Sequence, residues 1–255
     1  MLELPPLSLY IHYPWCVKKC PYCDFNSHEG EIQTDYIKAL LKDLDNELKY
    51  LQNRKIHSIF IGGGTPSLMS VSDISELFDG LKKRLSLTKS IEITLEANPG
   101  TFEVEKFAQF REAGINRLSI GVQSFNNNQL KFLGRIHSGE EATRAISEAK
   151  KVGFDNINID LMYGLKGQTI ELCMEDLMSA INLSPSHISF YQLTLEPNTL
   201  FAKYPPKLPL EKKIWDMGEK GAALLIENGF RQYEVSAYGE RPSQHNINYW
   251  EFGDY

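Results

Sequence analysis

Apolar positions along this chain follow two alternating rhythms. Short apolar runs at 7–12, 58–61, 91–96, 117–122, 157–162 and 187–193 read as strands. Between them the apolar spacing is helical. Ile37, Leu40, Leu41, Leu44, Leu48 and Leu51 share one helical face, with Thr34 as the expected N-cap. Ile74, Leu77, Phe78, Leu81 and Leu85 share another. A third helix is expected over 102–113, closed by Gly114 as its C′ glycine. Ser138 and Glu141 form an S-x-x-E capping box that opens a fourth, with Ala142, Ala145, Ile146 and Ala149 facing inward and Gly153 ending it. A fifth, over 170–183, puts Cys173 beside Leu177, Ala180 and Ile181, which makes that cysteine a small core residue. A Pro-rich connector at 197–209 leads to a last helix over 210–228, then Gly229, then a further strand at 231–237.

The chain resembles itself at a coarser scale. Residues 113–120, 152–159 and, more faintly, 228–235 each read as a helix end, a glycine cap, an apolar residue and a new strand. Unbroken βα alternation implies a parallel sheet with right-handed crossovers. The fold class is therefore α/β: a partial, TIM-like (β/α)6 barrel over 1–200, followed by a helix and strand segment over 201–255. Asn156, Asn158 and Asp160 alternate with apolar residues, as expected of a concave sheet face that points into a polar cavity.

Polar residues fall in register at the strand ends. Cysteines follow the first strand and Gly62-Gly63-Gly64-Thr65-Pro66 the second, while Glu96 ends the third. Gln123 follows the fourth, Asp160 lies near the end of the fifth, and Gln192 near the end of the sixth. All should line the C-terminal rim, where barrel enzymes keep their sites. Cys16, Cys20 and Cys23 are spaced C-x3-C-x2-C, and three thiolates this close can hold three corners of a four-iron cluster, leaving one iron open. The alternative is a closed zinc site with His28 as fourth ligand. A disulfide framework suits an odd cluster poorly. The glycines allow close backbone approach to a ligand, and a phosphate loop would require a lysine that is absent here. Glu96 can hold a cation or hydroxyl, Arg135 a carboxylate through its planar fork, and Gln123 and Asp160 hydroxyls. Each is equally at home in a structural salt bridge or hydrogen bond.

Composition narrows the classes further. A chain of 255 residues fits one large domain, which needs no disulfides to be stable. A net charge of −6, from 27 basic and 33 acidic residues, argues against non-specific nucleic-acid binding. No apolar run is long enough for a transmembrane segment, and the first residues lack the pattern of a signal peptide. The expected setting is reducing and cytoplasmic.

The cysteine stretch resembles the signature of the radical S-adenosylmethionine (SAM) superfamily, and the downstream residues resemble its coproporphyrinogen III oxidase-like branch from Leu7 to Tyr255. That resemblance implies a 4Fe–4S cluster on Cys16, Cys20 and Cys23, and Tyr22 near the SAM adenine. It places Tyr10, Gly63, Gly64, Thr65, Glu96, Gln123, Arg135 and Asp160 at SAM-contacting positions. Members that decarboxylate coproporphyrinogen carry a further cysteine two residues after the third ligand, where this chain has Phe25. The stretch His245-Asn246-Ile247-Asn248-Tyr249-Trp250 resembles the H-N-x-x-Y-W motif of the branch's haem chaperones, which implies His245 as a haem ligand; a capping histidine among core aromatics is the plainer alternative. The implied function is haem transfer to acceptor proteins such as respiratory enzymes, with an electron donor for the cluster. The alternatives are oxygen-independent oxidation of coproporphyrinogen III to protoporphyrinogen IX, or an idle zinc-binding barrel. Relatives in the branch continue for roughly a hundred residues beyond 255, so the resemblance also implies a piece of a longer protein with one side of its barrel open to self-association.

Overall fold

A computed structural model describes residues 4–101 and 104–255 of the chain. Six strands lie side by side in chain order, each parallel to the next: β1 (Leu7–Tyr13), β2 (Ile56–Gly63), β3 (Leu87–Ala97), β4 (Arg117–Gln123), β5 (Ile157–Tyr163) and β6 (His187–Gln192). The helices α1 (Tyr36–Glu47), α2 (Val71–Arg84), α3 (Val104–Ala113), α5 (Gly139–Lys151) and α6 (Ile170–Asn182) form crossovers, with a short α4 (Asn127–Phe132) ahead of α5. Beyond them come α7 (Leu200–Lys203), α8 (Glu211–Glu227), β7 (Arg231–Gln232), β8 (Ala237–Gly239) and α9 (Gln244–Trp250).

The expected capping box at Ser138 and Glu141 forms, and Gly114, Gly153 and Gly229 take φ of +119°, +96° and +88° after their helices. Four expectations need correction. The first helix starts at Tyr36 with Asp35 as N-cap, not Thr34; Leu48 lies in a 3-10 turn and Leu51 just past it. The strand expected over 231–237 is instead a hairpin of β7 and β8, antiparallel to each other, with β8 antiparallel to β6. Its connection is too short for the crossover that a parallel pair requires. The connector at 197–209 contains α7, and α4 had no place in the sequence reading. The expected start of the third helix at 102 lies outside the described residues.

The two faces of the sheet differ in chemistry. Ile59, Ile61, Leu95, Leu118, Ile120, Ile159 and Ile188 are fully buried on the outer face, beneath the helices. Each contributes about 1.5–3 kcal/mol of burial. The inner face is polar yet equally enclosed, with Ser58, Thr94, Arg117, Ser119, Asn158 and His187 all buried. Asn158 Nδ2 donates to Ser119 Oγ at 2.8 Å, and the Asn158 Oδ1 lies 2.6 Å from His187 Nδ1. Such groups tolerate burial because they pair with one another. Among the described residues no ladder joins β1 to β7, so the ring is open on that side. There Asp254 forms a parallel bridge with Leu7.

Candidate functional site

The cysteine loop is held from three directions. A two-residue parallel ladder pairs Trp15 and Cys16 with His28 and Glu29. Lys19 Nζ donates to the carbonyls of Phe25 and Ser27 at 2.8 and 2.9 Å. From the connector, the Phe201 amide donates to Pro21 O at 3.0 Å, and its ring joins Leu133, Met162, Leu165 and Leu193 in a small second core. The glycine segment closes the third side: Gly64 N–H donates to Tyr13 O at 2.7 Å and Thr65 N–H to Trp15 O at 2.8 Å.

Cys16, Cys20 and Cys23, together with Tyr22, line one rim cavity of about 550 Å³. Gly63, Gly64, Thr65, Glu96, Gln123, Arg135 and Asp160 line the same cavity, as does Gln192. The sulfurs contact their surroundings singly: Thr65 Oγ1 donates to Cys16 Sγ at 3.5 Å, Arg135 Nη1 to Cys20 Sγ at 3.6 Å, and Ser27 Oγ lies 3.8 Å from Cys23 Sγ. Among the described residues no three His, Cys, Asp or Glu side chains converge as a single-ion site, and His28 is exposed outside the cavity, bonded to Asn26. Separate sulfurs around one space fit a bulky cluster better than a closed zinc site.

Arg135 donates through Nη2 to Gly121 O at 2.6 Å and to Asn98 Oδ1, while its buried Nε has no partner among the described residues. A donor left over at the cavity wall suits an anionic ligand group. Gln123 sits at a β-bulge between β4 and β5 with φ of +69°, and its Oε1 accepts from Tyr191 at 2.6 Å. The bulge turns this side chain into the cavity. Residues that sequence reasoning missed also line the wall, including Asn98, Met162 and Tyr191. The inward period-two alternation of β5 and β6 was the signal available for Met162 and Tyr191.

Two carboxylates face each other across the lower cavity. Glu96 accepts from Gly63 N–H at 3.0 Å, and Asp160 from Asn158 Nδ2 at 2.8 Å. Burial, and then the charge of Asp160, raise the Glu96 pKa from 4.5 to about 7; the Gly63 amide and Arg117 oppose the shift. Burial also raises Asp160 against its hydrogen bonds. An acid with a raised folded pKa binds its proton more tightly when folded, so stability declines as pH rises from 4.5 to about 7. Glu96→Gln should flatten this decline in melting temperature, and parallel pH profiles for parent and variant would show that Glu96 is not its source.

Tyr10 and His245 stand apart from the rim cavity. On β1, Tyr10 pairs in register with Phe60, one inner layer below His12 and Gly62. Its hydroxyl lies 2.9 Å from His12 Nδ1, and burial followed by the charge of Glu96 raises its pKa to about 12. His245 lies on α9, which packs against the inner face of β1 and β2. Its Nδ1 is 3.2 Å from Ser58 Oγ, and its ring lies 5.2 Å from that of Phe60. Burial, then Arg117, lower its pKa to about 4, so the imidazole is neutral. As expected, Cys173 is an inert core thiol, 1% exposed and raised to about 12 by burial.

An open parallel barrel with three cysteines on the loop after β1, a glycine segment after β2 and a polar rim is the architecture of a radical SAM domain. The chain belongs to that class: the Radical SAM superfamily model matches residues 10–179. Membership implies a 4Fe–4S cluster and SAM. Within it the chain belongs to the HemW family. "Heme chaperone HemW" of Escherichia coli (strain K12) is 55% identical over 260 residues, covering all of this chain and 69% of that protein. The protein of the same name from Haemophilus influenzae is also 55% identical, over 264 residues, with the same coverage. Among solved structures, the radical SAM enzyme coproporphyrinogen III oxidase (HemN) of Escherichia coli superposes with a TM-score of 0.82 at 28% identity. That match covers 97% of this chain, which spans 58% of the HemN chain. Among the described residues no helix is long and apolar enough to cross a membrane.

Proposed function

We propose that this chain is the SAM-binding and cluster-binding part of a cytoplasmic haem chaperone, which receives haem and passes it to acceptor proteins such as respiratory enzymes. The observation that carries this reading is 55% identity, over the whole of this chain and 69% of the relatives' length, to proteins named as haem chaperones. Phe25, where decarboxylating relatives have a cysteine, supports the same side of the branch.

In this reading Cys16, Cys20 and Cys23 would hold the cluster, with one iron left open for SAM. Once bound, the pair supplies one-electron chemistry at the SAM sulfonium. Arg135 offers its unpaired Nε to the carboxylate. Glu96 and the Gly63–Gly64 backbone meet the amino group, and Gln123 and Asp160 the ribose hydroxyls. Tyr22 covers the adenine. Tyr10 acts from a layer lower, through His12 and the field at Glu96. His245 is the haem ligand.

Haem titration of anaerobically reconstituted protein tests the assignment. A Soret shift that disappears in His245→Ala supports chaperone binding. Formation of protoporphyrinogen from coproporphyrinogen III, given SAM and a reductant, would instead make the protein an oxidase, the activity named for its HemN neighbour.

A further inference from the structure

The His245 ring meets the inner face of the barrel at Phe60, and its Nδ1 meets a buried hydroxyl pair. Ser58 Oγ lies 3.2 Å from His245 Nδ1 and 2.7 Å from Ser8 Oγ, with both serines buried. Ser8 and Ser58 are register partners on β1 and β2, so the pair is fixed by the sheet itself. The other ring nitrogen, Nε2, has no hydrogen-bond partner among the described residues.

We infer that Ser58, backed by Ser8, is a positioning residue that fixes the tautomer and direction of the His245 imidazole for iron ligation through Nε2. The inference rests on the haem reading above. The geometry fits that role. Ligation through Nε2 would need its lone pair, which places the imidazole proton on Nδ1. Ser58 Oγ, 3.2 Å away, is the acceptor that stands there, and Ser8 Oγ holds Ser58 in place from 2.7 Å. Phe60 holds the ring plane, 5.2 Å away at 34°. The backbone is anchored as well, because Glu92 Oε1 accepts from His245 N–H at 3.3 Å and from Ser243 Oγ at 2.9 Å. A histidine serving only to cap α9 would gain nothing from this relay, since Ser243 already fills the N-cap.

The test is haem titration of the full protein with Ser58→Ala, Ser8→Ala, Ser58→Thr and His245→Ala, reading affinity, Soret position and the reduction potential of the bound haem. Ser58→Ala should weaken haem binding about 10–100-fold and shift both spectrum and potential. Ser8→Ala should do the same to a smaller extent, and Ser58→Thr, which keeps the hydroxyl, should restore the parent spectrum. Ser58→Ala with parent affinity, spectrum and potential, beside a His245→Ala that loses the Soret shift, overturns the relay and leaves the ligand in place. An unchanged His245→Ala overturns the haem reading itself, and the relay with it. Melting temperatures of the four variants separate either result from loss of fold: a Ser58→Ala that only melts lower, with unaltered haem spectra, counts against the inference.

Discussion

Gly64→Ala is expected to strip the protein of most of its cluster. A Cβ at this position would lie 2.6 Å from Trp15 O and 2.7 Å from both Pro14 C and Pro14 O. These are backbone atoms immediately ahead of Cys16, so no side-chain rotation relieves the clash. Two further backbone hydrogen bonds hold the same seam, and Thr65 Oγ1 reaches Cys16 Sγ across it. Pushing the two loops apart costs about 1–3 kcal/mol of overpacking and displaces the first cysteine from the other two. After anaerobic reconstitution, iron and sulfide content and the broad absorption near ~400 nm should fall to a minor fraction of the parent's. Gly114→Ala is the comparison. Its φ is +119° but nothing lies within 4 Å, so it should lower stability by about 1 kcal/mol and leave iron content intact. A Gly64→Ala protein with parental iron would show that the seam yields without moving the cysteines.

The second large effect is expected at Arg117, the cation at the centre of the inner face. It is 3% exposed, donates to Thr94 Oγ1 at 3.4 Å, and its charge opposes the upward shifts of Glu96 and Asp160. The same charge helps keep His187 and His245 neutral, with pKa values lowered to about 3 and about 4, burial being the larger cause in both. Arg117→Met keeps most of the volume and removes the charge. The loss should be about 3–5 kcal/mol at pH 8, because buried carboxylates are left uncompensated. The sign with pH is fixed by the same contacts. Below about pH 7 the folded protein holds a proton on Glu96, so less carboxylate charge depends on Arg117, and the two histidines become easier to protonate without Arg117 beside them. The stability difference should therefore shrink as pH falls from 8 to 5, measured by urea unfolding. An equal loss at both pH values would mean that packing, not charge, is what Arg117 contributes.

The rim was legible before any coordinates because a parallel barrel places strand ends on one side. Cysteines, glycines, Glu96, Gln123 and Asp160 each followed an apolar run, and the fold converted that order into a shared cavity. Tyr10 shows the limit. The family resemblance gave it a SAM-contacting position, but strand register put it opposite Phe60, one layer down. Register is a relation between two strands, and no pattern within one strand specifies it.

The supports of the cysteine loop were hidden for a related reason. The connector read as a Pro-rich link, yet Phe201 packs on Phe132 at 5.0 Å and bonds to Pro21. Contacts across such separations leave no local periodicity to detect.

By itself the sequence determined the alternation of strands and helices, the glycine-capped repeats, the close spacing of three cysteines and the side of the sheet that would carry chemistry. Those are consequences of local period and chain order. Only the tertiary structure decided that Gly64 is required by the Pro14–Trp15 backbone, that Arg117 balances the inner carboxylates and that His245 leans on Ser58. Each of these depends on distances between strands that meet only when the sheet curves.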